Sequence, residues 1–429
     1  MNDSGTAVLE GANVTSALGI GAPKSQQQIR LLRVIRTLNP IDGGPIEAVK
    51  QITAVHAAEG HQAVVVSLDL PDDPWVKQSP LRVEALGPGG RGYGFGSRLV
   101  PWLRSHAGQF DGVIVSGLWQ YQSLGVWRAM RGHETPYFVF PHGMLDPWFK
   151  TAYPLKHLKK WLYWPWAEYR VLRDARAVCF TSEEERRRAR ESFWLYRCRE
   201  AVVNYGTAAP GGNAEEQQRK FFQTFPALQG KRLILFLGRI HEKKGCDLLL
   251  EAFHRVVSVH RDALADLRLV FAGPDQSGWQ AELNARALSL GIAGQVIWTG
   301  MLTGDLKWGA LRSAAAFALP SHQENFGVAV AEALACGMPV LISNKVNIWR
   351  EIEADRAGFV ASDDLEGTQQ LIERWLALSN PEVLHVRANA LACFLRRFEV
   401  CKAAQSLADL VRQSRPTLER PRASLEWPG

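Results

Sequence analysis

Two carboxylates in the chain are spaced so that they could hold the two ends of one ligand. Glu324 and Glu332 stand eight positions apart, and an Asn-Phe-Gly sequence separates the first from an Ala/Val-rich segment that contains the second. Ionised carboxylates accept hydrogen bonds from hydroxyl groups such as those of sugars. Taken alone, two glutamates at this spacing are also typical of an ordinary amphipathic helix with charged ends. The choice between the two interpretations depends on the surrounding sequence.

The flanking residues predict a strand–loop–helix–strand unit. Apolar runs at 315–319 and 338–343 are typical of buried strands, and the helix between them is expected to begin near Phe326 or Gly327. The first N–H groups of a helix have no intrahelical partner and lie at the positive end of its dipole, so this point favours an anion such as phosphate. A phosphate site between two acids suits a nucleotide sugar, which has hydroxyls at both ends.

A second motif with phosphate chemistry lies upstream in the same half of the chain. The apolar run 233–237 leads into Gly238-Arg239, and Lys243-Lys244-Gly245 then precedes a segment with helical spacing. Guanidinium and ammonium groups are the usual partners of phosphate oxygens, and they stabilise the charge that appears on a departing diphosphate. By itself this loop would be interpreted as a solvated basic surface, and its proximity to the glutamate pair favours the functional interpretation.

Together, the glutamate pair, the Gly-Arg and Lys-Gly elements and the turn Cys336-Gly337-Met338-Pro339-Val340 resemble the signature of the retaining glycosyltransferases of family 4, the glycosyl transferases group 1. The resemblance is specific over about residues 232–352 and looser over 30–206. It implies an α/β protein of the GT-B fold, in which two doubly wound Rossmann-like domains face each other across a cleft and the C-terminal helix crosses back. It also implies the bacterial surface-polysaccharide type of enzyme.

The resemblance also implies roles for individual residues. Arg239 and Lys244 would grip the donor diphosphate, while Glu324 would bind the transferred sugar and Glu332 the ribose. The predicted catalytic residues are His142, Arg239, Lys244 and Glu324. The predicted donor-binding residues are Gly43, Gly44, Met301, Leu302, Asn325, Phe326, Gly327 and Glu332.

Two loops in the first half of the chain match the family less tightly. Gly43 and Gly44 follow the first predicted strand, where the absence of a Cβ would let the backbone approach the donor phosphates. They could equally form a plain β-turn. His142 follows the strand 137–140 and would position the sugar or stabilise charge, although a lone histidine is more often a structural hydrogen-bonding residue. We expect no protein nucleophile, because the family resemblance implies attack on the same face from which the diphosphate leaves.

Apolar segments alternate with segments of helical spacing along the whole chain, which predicts two doubly wound parallel sheets. The predicted strands are 31–35, 62–68, 112–116, 136–140, 176–181, 201–204, 232–237, 267–272, 295–299, 315–319, 339–343 and 358–361. The predicted organisation is a mobile tail over 1–28, an acceptor-side domain over 29–207, a linker over 208–230, a donor-binding domain over 231–381 and a returning helical segment over 382–429.

Composition limits the class of protein and its partners. The chain has 429 residues, of which 46% are hydrophobic and 22% charged, as expected for a globular protein. Its net charge of +7 calls for an anionic partner, and a diphosphate donor or an anionic membrane face fits better than nucleic acid, because nucleic-acid-binding signatures are absent. No cofactor and no metal are expected. The scattered cysteines and the lack of a secretory or membrane-spanning pattern predict a cytoplasmic protein.

The segment 156–166 combines lysines with tryptophans and leucines. Such a helix could press the first domain against the inner face of the plasma membrane, where a lipid-diphosphate-linked acceptor is found. In that interpretation Trp161, Trp164, Lys159 and Lys160 would face the membrane. Alternatively, the aromatic side chains pack against the first sheet while the lysines face solvent. The sequence favours neither interpretation.

The sequence therefore predicts a retaining glycosyltransferase that moves a hexosyl unit from a nucleoside-diphosphate sugar, such as GDP-mannose or a UDP-sugar, to a glycan or a polyprenyl-diphosphate-linked acceptor in polysaccharide biosynthesis. Two alternatives share the fold. One is a sugar-nucleotide epimerase, which would convert donor without an acceptor. The other is a non-catalytic sugar-nucleotide-binding subunit, in which Lys244 or Glu324 would tend to be lost. The sugar, the nucleotide base and the linkage are not specified by these residues.

Overall fold

Two parallel β-sheets, each covered by helices, make up the chain in a computed structural model that describes residues 28–40, 44–89 and 92–414. The first sheet has seven strands in the order β3-β2-β1-β4-β5-β6-β7. Its strands are β1 Arg30–Val34, β2 Gln62–Ser67, β3 Val83–Ala85, β4 Gly112–Ser116, β5 Tyr137–Phe140, β6 Ala177–Phe180 and β7 Glu200–Val202. The order doubles back at β1, so β1 and β4 flank a crevice at their carboxyl ends.

The helices that connect these strands cover both faces of the first sheet. They are α1 Gly44–Ala58, α2 Pro74–Lys77, α3 Leu99–His106, α4 Tyr121–Met130, α5 Trp148–Ala152, α6 Pro154–Tyr163, α7 Glu168–Asp174 and α8 Glu183–Ala189. The strands β1 and β4 are almost entirely buried, as expected for parallel strands that are covered on both faces.

The second sheet has six strands in the order β10-β9-β8-β11-β12-β13, and all its pairs are parallel. Its strands are β8 Arg232–Leu237, β9 Leu267–Ala272, β10 Val296–Gly300, β11 Ala316–Leu319, β12 Val340–Ser343 and β13 Gly358–Ala361. The helices of this half are α9 Ala214–Thr224, α10 Cys246–Val259, α11 Trp279–Ser289, α12 Gly304–Ser313, α13 Val328–Ala335, α14 Trp349–Ala354, α15 Leu365–Leu376, α16 Asn380–Cys393 and α17 Val400–Gln413. Here the switch point lies between β8 and β11, which are the strands that precede the two predicted motifs.

Each of the twelve predicted strands corresponds to a strand of the structure within a few residues. The strand β3 is the one that the prediction missed. It has three residues, Val-Glu-Ala, all of them half-buried at the sheet edge, so it is too short for an apolar run or for an informative alternating pattern. An edge strand of this length is recognisable only through its pairing with β2.

The chain crosses between the two sheets twice, and the crossings are joined. The Thr207 N–H donates to the Phe398 carbonyl at 3.0 Å, and the Val400 N–H donates to the Thr207 carbonyl at 3.0 Å. A Cβ on Gly206 would overlap the Phe398 carbonyl, so this close approach depends on glycine. Beyond the crossing, α17 returns to the first domain, where the His56 ring on α1 lies 2.9 Å from the Ala404 carbonyl. The predicted return of the last helix is confirmed.

The loop after β8 is held against the end of β11 by a second close backbone approach. Gly245 has φ of +66°, and a Cβ added there would overlap the Pro320 carbonyl oxygen. The position therefore requires a left-handed conformation and also leaves no room for a side chain. This contact brings the Lys-Gly motif next to the segment that begins the Glu324 loop.

We expect Gly245→Ala to destabilise the protein more than Gly278→Ala in the same half of the chain. Both glycines have positive φ, but a Cβ at Gly278 would meet nothing within 4 Å. The Gly278 variant should lose about 1 kcal/mol of unfolding free energy from backbone strain alone, and the Gly245 variant should lose clearly more because Pro320 must also move. Denaturant unfolding of both variants measures the difference. Equal losses would contradict the close approach.

Candidate functional site

The helix α13 begins where the Asn-Phe-Gly sequence ends, as predicted. Gly327 precedes the helix with φ of 75°, and a Cβ there would lie 3.1 Å from Val330 Cγ2 and 3.3 Å from Val346 Cγ1. No side chain caps α13 at this end. The first N–H groups of the helix are therefore left for another acceptor, which gives the edge of the second sheet a site with positive potential.

Lys244 and Glu324 form an ion pair next to that helix start. Their side chains are 16% and 20% exposed, so the pair is largely shielded from water but still reachable from the cleft. The backbone fixes Glu324 independently, because its N–H donates to Lys345 O at 3.0 Å and its carbonyl accepts from the Asn347 N–H at 3.0 Å. The two predicted motifs are thus brought into direct contact.

Three cations lie close together on the loop after β8. Burial, with the charges of Lys243 and Arg239 added, lowers the pKa of Lys244 to about 7. Burial and the charge of Arg239 lower the pKa of Lys243 to about 8. The Arg239 side chain is exposed, and the part of the chain that the structure describes provides no ion pair for it. The cluster consequently attracts an anion of more than one charge.

The second predicted acid, Glu332, is buried on α13 and pairs with a residue that the sequence did not single out. The Lys307 ammonium on α12 lies 2.7 Å from Glu332 Oε1. Burial raises the pKa of Glu332, Lys307 lowers it, and the carboxylate of Glu47 on α1 raises it again. Glu47 belongs to the first domain, so Glu332 lies near the surface where the two domains meet. Lys307 is the fourth residue of the helix α12, which begins beyond the carboxyl end of β10. Only this position could have marked Lys307 as a site residue in the sequence.

The first domain comes close to the helix start from the opposite side. A Cβ on Gly44 would lie 3.5 Å from Val328 Cγ2, so the first residue of α1 faces the first residue of α13. Gly143, with φ of 75°, comes even closer, because a Cβ there would lie 2.7 Å from the Asn325 Cβ. The Asn325 amide also donates to Thr181 Oγ1 at 3.1 Å. The predicted loops of the two domains therefore face each other across a narrow cleft.

A buried glutamate, Glu185, organises the first-domain side of this contact. Its carboxylate accepts from the Gly143 N–H at 2.6 Å and from both the N–H and the hydroxyl of Thr181 at 2.7 Å. Thr181 in turn meets Asn325. Sequence reasoning missed Glu185, which sits in the run Glu183-Glu184-Glu185 and looks like a solvated helix start.

His142 lies in the wall of the cleft beside Gly143. Its φ of 50° is unusual for a residue with a side chain, and its ring packs between Phe140 at 5.7 Å and Tyr205 at 5.8 Å between ring centroids. Burial and the charge of the buried Arg33 lower the pKa of His142 to about 4, so the imidazole is neutral near pH 7. Within the described residues His142 Nε2 has no hydrogen-bond partner. A neutral imidazole with one unused nitrogen can exchange a hydrogen bond with a ligand hydroxyl.

The remaining predicted residues differ in their placement. The Phe326 side chain is buried, with Tyr205 at 4.9 Å and Phe398 at 5.6 Å between ring centroids, so it packs the junction of the domains. Met301 is 67% exposed after β10, whereas Leu302 is buried. Gly43 lies outside the described residues.

Neither a metal site nor a bilayer-spanning segment emerges from the described ranges. They contain no group of three or more His, Cys, Asp or Glu side chains arranged to hold a metal ion. None of their helices combines the length and the apolar character that spanning a bilayer requires.

Two protein-family models match this chain. The model of the glycosyl transferase 4-like domain matches residues 43–206, and that of the glycosyl transferases group 1 matches residues 217–390. The first covers the loops of Gly44 and His142, and the second covers both phosphate motifs.

Curated relatives match only part of this chain. The D-inositol 3-phosphate glycosyltransferase of Acidothermus cellulolyticus is 30% identical over 131 residues, which are 30% of this chain and 29% of the relative. The lipopolysaccharide core biosynthesis mannosyltransferase LpsB of Rhizobium meliloti is 25% identical over 259 residues, or 56% of this chain and 72% of LpsB. The chain thus covers only about three tenths of the length of the first of these relatives.

Solved structures match the whole fold. Sucrose-phosphate synthase from Thermosynechococcus elongatus superposes with a TM-score of 0.71 at 18% identity, covering 90% of this chain and 99% of that one. Anabaena HepE in complex with UDP and glucose gives 0.68 at 17% identity, with 90% and 100% covered. These likenesses confirm the predicted GT-B fold. Along one such fold, residues 43–206 match the glycosyl transferase 4-like domain model and residues 217–390 match the glycosyl transferases group 1 model, in that order.

Proposed function

We propose that this protein is a retaining glycosyltransferase that moves a hexosyl unit from a nucleoside-diphosphate sugar to a glycan or a lipid-linked oligosaccharide in the assembly of a surface polysaccharide such as an exopolysaccharide. One observation carries the proposal. The ion pair of Lys244 and Glu324 lies beside an uncapped helix start, which Gly44 of the other domain faces across the cleft.

The donor diphosphate binds between the α13 start and the loop after β8. The helix start offers free N–H groups, Arg239 offers a full positive charge, and Lys244 is held in its charged form by the bound diphosphate. The backbone at Gly44 lies beside the helix start, where a Cβ would be 3.5 Å from Val328 Cγ2, so the first domain faces the proposed phosphate site with backbone. Protein groups supply this positive charge, so we expect donor binding that does not depend on an added divalent metal ion or another cofactor.

The two acids hold the ends of the donor in this arrangement. The diphosphate replaces Glu324 as the partner of Lys244. Glu324 then accepts hydrogen bonds from hydroxyls of the transferred sugar. Glu332, with Lys307 beside it, accepts from the ribose, and the exposed Met301 lies where the base would pack. Glu47 lies close enough to affect the Glu332 carboxylate, so the ribose end is near the first domain as well.

Transfer proceeds by departure of the diphosphate and attack of the acceptor hydroxyl on the same face of the sugar, and the hydroxyl proton passes to the leaving diphosphate oxygen. Lys244, Arg239 and the α13 start stabilise the charge that develops on the leaving diphosphate. His142 is neutral, so it positions a sugar hydroxyl through its unused nitrogen and supplies no proton. The product keeps the anomeric configuration of the donor without a carboxylate nucleophile of the glycosidase type.

The bound ligand of one similar protein and the activity of another support the substrate class. HepE has been solved with UDP-glucose bound, and LpsB is described as a mannosyltransferase of lipopolysaccharide core biosynthesis. A UDP-sugar and GDP-mannose are therefore the donors to test first. We place the enzyme in the cytoplasm, at the inner face of the membrane where polyprenyl-diphosphate-linked acceptors are elongated.

The proposal is tested by incubating the protein with each candidate donor, with and without a polyprenyl-diphosphate-linked oligosaccharide. We expect a glycosylated product only when the acceptor is present, and proton NMR of the new linkage should show the donor's anomeric configuration. Activity should persist in EDTA. Conversion of the donor to another sugar nucleotide without acceptor would instead identify an epimerase, and an inverted linkage would contradict the mechanism.

Replacing Glu324 should separate sugar recognition from nucleotide binding. A preferred donor at a hundred times its Kd should add about 2.7 kcal/mol to the unfolding free energy of the wild-type protein. In Glu324→Ala the bare nucleoside diphosphate should bind at least as well, because a competing carboxylate is gone, while the preference among sugars and the transfer activity should be lost. Thermal-shift titrations measure this. Glu366→Ala, which removes a carboxylate that is 71% exposed in the same domain, serves as the control and should behave as wild type.

Donor affinity should fall with rising pH because Lys244 has a lowered pKa. In the free protein the ammonium group loses its proton near pH 7, whereas a bound diphosphate favours the charged form and raises the pKa. Affinity for a nucleoside-diphosphate sugar should therefore be constant well below pH 7 and decline above it, approaching tenfold per pH unit. Lys244→Arg stays charged at position 244, so its profile should stay flat up to about pH 8, where Lys243 loses its proton. A wild-type profile as flat as that of Lys244→Arg between pH 7 and 8 would contradict the role of Lys244.

A further inference from the structure

The helix α6 presents its leucines to solvent. Leu155, Leu158 and Leu162 lie along one face of the helix, and their side chains are 78%, 56% and 61% exposed. A surface helix on a globular protein normally turns such a stripe toward the core. No residue of α6 is buried.

The opposite face of α6 attaches the helix to the first domain through polar and aromatic groups. The Lys160 ammonium lies over the Trp119 ring at 4.7 Å, the His157 ring stacks on Phe193 at 5.0 Å, and the Tyr163 hydroxyl meets that of Tyr93 at 2.5 Å. The orientation is therefore fixed by contacts, and the leucines point outward as a consequence.

Trp164 and Lys160 do not face outward as the membrane interpretation of the sequence required. Trp164 is fully buried, stacked on Phe193 with 4.3 Å between ring centroids, and its Nε1 donates to Leu195 O at 2.6 Å. Burial lowers the pKa of Lys160 to about 8. The packing interpretation is correct for Trp164. It is wrong for Trp161, which is 44% exposed, and for Lys160, which lies over the Trp119 and Phe149 rings instead of facing solvent.

Exposed tryptophans on and next to α6 add apolar surface to the leucine stripe. Trp161 and Trp194 lie 6.2 Å apart between ring centroids and are 44% and 65% exposed, and Trp166 is 71% exposed. The α6 surface is defined here as Leu155, Leu158, Trp161, Leu162, Trp166 and Trp194. Exposed apolar side chains that cluster in this way mark an interaction site.

The charged side chains that α6 itself carries are all positive. Lys156 and Lys159 are exposed on α6 itself, Arg197 is exposed near Trp194, and the Arg170 guanidinium lies 5.8 Å from the Trp166 ring. No Asp or Glu occurs between Asp146 and Glu168. A partner for this surface must therefore combine an apolar interior with negative charge at its boundary.

We propose that the α6 surface docks the protein on an anionic lipid bilayer, with the leucines in the acyl boundary, the tryptophans at the headgroup level and the lysines among the phosphates. Leucine and tryptophan with flanking lysine is the composition of helices that lie in the membrane interface. Protein–protein interfaces are instead depleted in lysine. Exposed lysines beside the leucines therefore favour the bilayer over a protein partner.

The α6 surface is linked to the cleft through α5. The Phe149 ring on α5 lies 5.0 Å from the Lys160 ammonium on one side and 5.6 Å from the Lys243 ammonium of the donor loop on the other. The helix α6 and the Phe149 side chain therefore lie between a bilayer on the α6 surface and the donor loop. Delivery of a lipid-linked acceptor into the cleft rests on the proposed function, whereas the docking itself does not.

Co-sedimentation of the full chain with vesicles tests the proposal. Most of the wild-type protein should pellet with phosphatidylcholine vesicles that contain phosphatidylglycerol, and little with phosphatidylcholine alone. Leu155→Glu/Leu162→Glu should reduce the bound fraction at least tenfold. Lys156→Glu/Lys159→Glu should reduce binding to the level seen with phosphatidylcholine alone. The matched control, Leu288→Glu/Leu384→Glu, changes leucines that are 63% and 69% exposed in the second domain and should bind as wild type.

Three results would overturn docking on a bilayer. They are a wild-type protein that stays in the supernatant, a control variant that binds as poorly as the α6 variant, and a wild-type dimer in sedimentation velocity that becomes a monomer in Leu155→Glu/Leu162→Glu. The last would show that a second copy covers the surface. The thermal shift by donor is measured on every variant without vesicles and should stay unchanged. Vesicle binding without any donor shift would support docking and contradict the proposed function.

Discussion

Three neighbouring cations govern the edge of the second domain. Arg239, Lys243 and Lys244 lie on one short loop, and burial, with the charges of neighbouring cations added, lowers the pKa of both lysines. One carboxylate, Glu324, meets Lys244, and the loop geometry that makes the contact depends on glycine at position 245. A single carboxylate cannot balance three positive charges at such close range. The site therefore retains a strong preference for a ligand with at least two negative charges.

The first domain completes the site with backbone. Gly44 and Gly143 bring the chain up to Val328 and Asn325, and a side chain at position 143 would occupy the space that Asn325 takes. Glu185 holds the Gly143 loop and Thr181 from behind with three hydrogen bonds. The two sides of the cleft thus have different tasks. The second domain supplies charge, and the first sets how closely the domains can approach.

Local patterns were sufficient for every strand except the edge strand β3 and for the two predicted motifs, because a buried parallel strand and a loop bounded by glycines both leave continuous signals in sequence. Lys307 and Glu185 left no such signal, since each acquires its role from a partner far along the chain. The α6 helix is the clearest case of what periodicity omits. Its spacing reveals an apolar stripe, but the side on which that stripe lies is decided by the aromatic pocket of Trp119 and Phe193, which only the tertiary structure assembles.

The paired crossings between the domains determine how the cleft can open. Thr207 exchanges hydrogen bonds with Phe398 and Val400, so the outgoing and returning segments run side by side at one place. Two independent linkers would allow the domains to slide, twist and separate. Two linkers that are hydrogen-bonded to each other behave as a single hinge, and rotation about that hinge is the low-energy motion. Opening of the cleft would then swing Asn325 away from Gly143 along a fixed arc and return it to the same register on closing.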